Sequence, residues 1–150
     1  MALNWKLVVD TRNAPVLADF WAAALGYEPE DQTAFIDRLL ADGHLTEDAV
    51  TEHDGRRLFR GLAAIRHPDD PFDPATGIGL GRRILFQDVP EPKTVKNRLH
   101  IDVHAAPGTT DDLASRLESL GATRVREVDQ GPAGRWWVMQ DPEGNEFCVA

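Results

Sequence analysis

A repeated order of local patterns constrains the fold of this chain more than any other feature. Residues 3–10 are rich in strand-forming types, and the apolar residues that follow recur at helical spacing until Leu25-Gly26. The second half has the same order, with apolar and polar residues alternating over 99–104 and a helical pattern that ends at Leu120-Gly121. Two related units therefore explain the sequence better than two unrelated domains.

Other segments extend each half in the same way. In the first half we predict a helix over 33–41, a strand over 57–65 that Gly61 interrupts, and a strand over 83–89. In the second half, after the helix, we predict strands over 122–127, 135–140 and 146–150.

Composition narrows the class of protein. A net charge of −9 over 150 residues argues against nucleic acid and against an anionic membrane surface as partners. Cys148 is the only cysteine, so no internal disulfide can form, and no stretch approaches the ~20 apolar residues of a membrane span. We therefore expect a small, soluble, cytoplasmic protein.

Three motifs resemble one known group. The run Phe20-Trp-Ala-Ala-Ala-Leu-Gly26, the segment from Lys96 to Asp102, and the turn and strand from Asp141 to Cys148 are similar to glyoxalase-like proteins. These belong to the vicinal oxygen chelate superfamily, which includes glyoxalase I, extradiol dioxygenases and bleomycin-sequestering proteins.

The resemblance implies an α+β fold in which two βαβββ modules with cupped mixed sheets form one glyoxalase-like domain over residues 1–150. Module 1 would span 1–90, the linker 91–97, and module 2 98–150. The extra sequence within 30–80 reads as a helical insertion in the first module.

In metal-dependent members of the group, His, Gln or Glu side chains on the central strands hold a divalent cation. His100 lies where the resemblance places the second-module ligand, although it could instead be hydrogen-bonded in a polar interior. Cys148 occupies the position where a glutamate is expected, Trp5 or Lys6 stands at the first-module position, and Gln87 is the only residue of that module that resembles a ligand. We expect no tightly bound catalytic metal, and if a divalent metal does bind, the expected ligands are His100, Cys148 and Gln87.

The predicted site is a cup that binds a small molecule. Strand alternation puts His100 beside Asp102 and Glu146 beside Cys148, because residues two apart share a face. The expected lining also includes aromatic and amide side chains from both modules, namely Trp5, Gln87, and one or both of Trp136 and Trp137. No catalytic residue is assigned.

Two functions stay open. One is a binding protein that sequesters a metabolite or antibiotic without a metal, and the other is a metal-dependent lyase, isomerase or dioxygenase acting on a small oxygenated substrate. The expected partner is a small molecule, with a second copy of the chain as a further candidate. The glycine-rich run over 77–81 lacks the Lys-Ser/Thr of a phosphate-binding loop, so we predict a flexible loop there.

Overall fold

In the computed structural model, which describes residues 1–150, the chain forms two units, Met1–Pro90 and Glu91–Ala150. The first unit contains β1 (Leu7–Thr11), α1 (Ala14–Leu25), β2 (Glu28–Pro29), α2 (Thr33–Ala41), a 3-10 turn (Glu47–Ala49), β3 (Val50–His53), β4 (Arg56–Phe59), β5 (Leu62–Arg66) and β6 (Arg83–Asp88). The second contains β7 (Asp102–Val103), α3 (Thr110–Ser119), β8 (Thr123–Asp129), a 3-10 turn (Gly131–Ala133), β9 (Arg135–Gln140) and β10 (Glu146–Val149).

The two units have the same sheet topology. The first sheet has the order β1-β6-β5-β2, and the second has the order β7-β10-β9-β8. In each, the first strand pairs in parallel with the last, while the other pairs are antiparallel. The α+β class, the mixed sheets and the βαβββ order are therefore confirmed.

Helix α1 illustrates how the local sequence sets the elements. Asn13 caps its first turn by accepting a hydrogen bond from the Val16 N–H at 3.4 Å, and Gly26 ends it with a left-handed φ of 68°. Leu17 and Trp21, one helical turn apart, are buried on its inner face. None of the chain's helices is long and apolar enough to span a membrane.

The insertion in the first unit is only partly helical. Helix α2 has the predicted bounds, which confirms helical sequence in the insertion, and a two-stranded sheet of β3 and β4 that was not predicted as such follows it. Asp54 and Gly55 join these strands with φ values of 48° and 74°, the conformation that an Asp-Gly hairpin turn requires. The predicted strand over 57–65 is two strands, with Gly61 between them.

A buried ion pair anchors the connection between β5 and β6. The side chain of Glu30 is 2% exposed, and its two oxygens accept hydrogen bonds from Nε and Nη2 of Arg83, both at 2.7 Å. The Gly79 N–H donates to the same carboxylate at 2.8 Å. A Cβ on Gly79 would lie 2.9 Å from the Arg66 Cβ, so this glycine is needed for close packing.

Two further glycines of the same connection lie close to neighbouring residues. A Cβ built on Gly77 would lie 2.0 Å from the Asp31 carbonyl oxygen, and one on Gly81 would lie 2.5 Å from a carboxylate oxygen of Asp70. The glycines over 77–81 thus allow close backbone approach in a loop between β5 and β6, and the flexibility of this loop stays a prediction.

In the second unit the first strand is shorter than predicted. Only Asp102 and Val103 form β7, and the predicted strand over 99–104 was too long. Pairing with β10 begins at Ile101, whose carbonyl accepts from the Cys148 N–H at 3.0 Å. Leu99 is 80% exposed, so it does not belong to a buried apolar face.

Candidate functional site

One row of side chains crosses the second sheet on the face opposite α3. Register pairs Arg126 with Val138, Val138 with Cys148, and Cys148 with Asp102. Paired residues in a sheet project to the same side. The neighbouring row, which contains the buried Met139 and Phe147, projects to the α3 side. The first row, from Arg126 to Asp102, therefore lies on the face of this sheet opposite α3, which we call the open face.

A bulge in β8 determines which arginine joins that row. Arg124 pairs with Met139 and Arg126 with Val138, so two residues of β8 advance for one residue of β9. Arg124 accordingly lies on the α3 side, where it donates to Glu118 at 3.0 Å. Arg126, two positions later, lies on the open face.

His100, Asp102 and Cys148 form a cluster on this open face. Each offers one potential ligand atom, and the three atoms lie within 4.8 Å of one another. Nε2 of His100 is 3.4 Å from Oδ1 of Asp102, and these side chains are 45% and 53% exposed. An imidazole, a carboxylate and a thiol are thus accessible to a ligand at one point.

The surroundings of Cys148 act in opposite directions on the pKa of its thiol. Partial burial, the Asp102 charge and a hydrogen bond to Asp102 raise the pKa of the thiol, while the cations of Lys96 and Arg126 act to lower it. The net direction is upward, so the free protein keeps a neutral thiol at pH 7. Neither Lys96 nor Arg126 was predicted as a site residue. For Arg126 the reason is that the bulge which turns it to this face has no signal in the sequence.

Glu146 shares the open face, but its carboxylate already has partners. Lys93 Nζ donates to Oε1 and the Asn97 N–H donates to Oε2, both at 3.0 Å. Burial alone would raise the pKa of Glu146, yet these donors lower it to about 2. Glu146 thus fastens the segment before β7 to β10, and a ligand role for it stays a prediction.

The two tryptophans of β9 face opposite sides of the sheet. Trp137 donates its indole N–H to Asp111 of α3 at 2.6 Å, and the Arg124 guanidinium lies 4.4 Å from its ring centroid. Trp137 therefore packs on the α3 side. Trp136, the preceding residue, is half-buried on the open face with Cys148.

The remaining predicted site residues belong to the first unit. Gln87 is an exposed residue of β6, paired with Asp10 of β1 and Leu62 of β5. Trp5 precedes β1 and is 86% exposed. Their roles as lining residues, and that of Gln87 as a metal ligand, stay predictions.

The donor chemistry of the cluster determines which ion it could hold. A thiolate sulfur, an imidazole nitrogen and one carboxylate oxygen suit a borderline ion such as Zn²⁺ better than Mg²⁺ or Mn²⁺, which prefer oxygen ligands. Three donors within 4.8 Å leave a fourth position for water or ligand, as in catalytic zinc sites. The cluster fits such an ion, with Asp102 in place of the expected Gln87.

The sequence of the chain matches a known protein family. The profile of the family described as "Glyoxalase-like domain" matches residues 6–150. None of the curated proteins matches the chain in sequence.

Solved structures share the fold at low identity. The fosfomycin resistance protein FosX from Mesorhizobium loti superposes with a TM-score of 0.60 at 10% identity, covering 99% of this chain and 90% of that one. A FosX mutant from Listeria monocytogenes, solved with Mn(II) and 1S,2S-dihydroxypropylphosphonic acid, gives 0.59 at 11% identity, covering 99% and 89%. The bleomycin-binding protein from Streptomyces verticillus, complexed with copper(II)-bleomycin, gives 0.52 at 16% identity, covering 100% and 96%. From the profile match over nearly its whole length and the shared fold, this chain belongs to the glyoxalase-like domain family of the vicinal oxygen chelate superfamily.

Proposed function

We propose that this protein binds a small oxygenated molecule on the open face of the second sheet and sequesters it without needing a tightly bound metal. The observation that carries the proposal is the accessible cluster of His100, Asp102 and Cys148. The copper(II)-bleomycin complex of a protein with the same fold supports a binding function, since that protein holds a small molecule.

The side chains around the cluster suggest what the ligand looks like. His100 and Asp102 can exchange hydrogen bonds with hydroxyl or carbonyl oxygens. Lys96 and Arg126 place positive charge beside Cys148, which favours a ligand that carries negative charge. Trp136 offers an apolar surface on the same face. We infer a ligand with one or two oxygen functions and an apolar part, and we keep Trp5, Gln87 and Glu146 as proposed lining.

A metal-dependent lyase, isomerase or dioxygenase is the second candidate, and the three convergent donors favour it. His100, Asp102 and Cys148 would hold the ion, which would act as a Lewis acid on a substrate oxygen. The carboxylate Oδ1 of Asp102 lies 3.4 Å from Nε2 of His100, so the two donors would reach the same ion. Cys148 would have to lose its proton to serve as a ligand.

A cytoplasmic location and the capacity to form a homodimer belong to the same proposal. A single cysteine suits a reducing compartment, because no internal disulfide contributes to stability.

A ligand screen tests the binding function directly. Thermal unfolding of the metal-free protein is measured against small oxygenated anions and antibiotics, and affinities of the hits are measured by calorimetry. His100→Ala should weaken binding at least about tenfold while changing the stability by no more than about 0.5 kcal/mol, since the side chain is exposed. His104→Ala is the matched control, because His104 is also exposed and lies outside the cluster.

The result also separates the two functions. Ligands that bind only after Zn²⁺, Ni²⁺ or Mn²⁺ is added, with Cys148→Ser losing both metal and ligand, would replace sequestration with the metal-dependent function. If no ligand protects the protein with or without metal, and His100→Ala unfolds it, the site is assigned wrongly.

A further inference from the structure

A second group of potential ligands lies in the first unit, where the β3–β4 hairpin meets α1. His53 ends β3, Asp54 begins the turn, and Asp19 lies on α1. One ligand atom from each of the three lies within 4.8 Å of the other two. His53 Nε2 is hydrogen-bonded to Asp19 Oδ2 and is 3.7 Å from Asp54 Oδ2.

Local structure holds these donors in place from two directions. Asp19 projects from α1 on a half-buried position, between the buried residues Ala18 and Phe20. The positive φ values of Asp54 and Gly55 fix the tight turn, which keeps the Asp54 carboxylate beside His53. The group is therefore set by the hairpin that the family resemblance did not predict.

Arg56 interacts with the oxygen of Asp19 that the group does not use. Its Nη2 is 3.7 Å from Asp19 Oδ1, whereas His53 faces Oδ2. The contact of Arg56 with Oδ1 orients the Asp19 carboxylate and leaves Oδ2 directed at the imidazole of His53. Two carboxylates and one guanidinium leave a local formal charge of about −1, which favours a divalent cation.

A small cavity adjoins two of these donors, Asp19 and His53. Asp19, His53 and Arg56 line it together with Glu30, Leu58 and Ala63, and its volume is about 10 Å³. That volume holds about one water molecule. An ion with three protein ligands needs such a molecule to complete a tetrahedral shell.

We propose that Asp19, His53 and Asp54 form a binding site for a borderline divalent cation of the Zn²⁺ class, completed by one water molecule. One imidazole nitrogen and two carboxylate oxygens are a mixed set that Zn²⁺ and Co²⁺ accept. The ion would replace the proton between His53 and Asp19 and link the hairpin to α1. This site is separate in sequence and in unit from the cluster at Cys148.

The test uses the full chain with both cluster residues changed, His100→Ala with Cys148→Ser, so that only the first-unit site can respond. Calorimetric titration with Zn²⁺ at pH 7 should show one site. Adding His53→Gln or Asp54→Asn should raise the Kd at least about tenfold, because each removes a direct ligand. His44→Gln and Asp42→Asn are matched controls at exposed positions and should leave the Kd unchanged.

Cobalt gives a second readout that does not depend on affinity. Co²⁺ bound in this double variant should show visible d–d bands without thiolate charge transfer, since the only cysteine has been removed. His53→Gln should abolish those bands, and circular dichroism will show that each variant is folded.

The proposal is overturned if the double variant binds no Zn²⁺, or if His53→Gln and Asp54→Asn bind as the control variants do. In either case the group is an ion pair that holds the hairpin without a metal. Asp54→Asn keeps the test decisive even if His53→Gln fails to fold, because the Asp54 side chain is 73% exposed.

Discussion

Removing the carboxylate of Glu30 should destabilise the protein far more than removing that of its near neighbour Glu28. Glu30→Ala leaves the guanidinium of Arg83, whose side chain is only 12% exposed, without its two hydrogen bonds of 2.7 Å. It also leaves the buried Gly79 N–H unpaired. Breaking a buried pair in this way costs about 3–5 kcal/mol.

Glu28 provides the matched control. It pairs with Arg66 as Glu30 pairs with Arg83, but the Glu28 side chain is 53% exposed. Glu28→Ala should therefore cost no more than about 1 kcal/mol, the usual range for exposed pairs. The comparison separates burial from charge pairing, because both changes remove a carboxylate bound to an arginine.

Urea unfolding provides the measurement. The urea concentration at the midpoint should fall strongly in Glu30→Ala, while the slope of the unfolding free energy against urea stays unchanged. The midpoint temperature of thermal unfolding should fall by about 6–20 °C, at ~2–4 °C per kcal/mol. Glu30→Leu combined with Arg83→Met should recover much of the loss, since no buried charge remains unpaired. Equal stabilities for Glu30→Ala and Glu28→Ala would refute the reasoning.

Two further predictions concern pH and backbone conformation. The pKa of Glu146 is lowered to about 2 from an ordinary 4.5, so the stability that Glu146 contributes is complete above about pH 4.5 and is lost as the pH falls towards 2. Glu146→Gln should lower the free energy of unfolding by about 1–2 kcal/mol at pH 7, which is less than the ~3 kcal/mol of the full shift because solvent screens the site. Near pH 2 the substitution should have no effect. A difference in unfolding free energy that stays constant across this pH range, measured by urea unfolding, would contradict the prediction. Gly77→Ala and Gly43→Ala both place a side chain at positive φ, at a cost of about 1–2 kcal/mol. Only Gly77→Ala also brings a Cβ to 2.0 Å from the Asp31 carbonyl, so its loss should exceed that of Gly43→Ala by about 1–3 kcal/mol, and equal midpoints would show that the loop yields freely.

Elements with strong local signals were predictable from the sequence. Helix α2 and strand β9 have the predicted bounds, and α1 begins after its Asn13 cap and ends at Gly26. Glu146 and Cys148 lie on one face of β10, as alternation predicts, because the period of a strand depends on the backbone alone.

Features that depend on partners distant in sequence were not predictable. Strand β7 is short because β10 provides pairing only from Ile101 onwards. Nothing near Glu146 in sequence shows that Lys93 would neutralise it. That Trp137 rather than Trp136 faces α3 involves its hydrogen bond to Asp111, a helix residue that alternation along the strand does not include.

The bulge in β8 also bears on how chains of this family differ in length. Val125 is the extra residue between Arg124 and Arg126, which pair with consecutive residues of β9. A homologous chain that lacks this one residue would keep every later side chain of β8 on the same face, because regular alternation would then join the two arginines directly. A gap at Arg126 would remove that arginine, and a gap at Glu127 that absorbed the bulge would pair Arg126 with Trp137 and so move it to the α3 side of the sheet. An alignment gap at Val125 is therefore neutral for the open face, whereas a gap one or two positions later marks a relative with a different site.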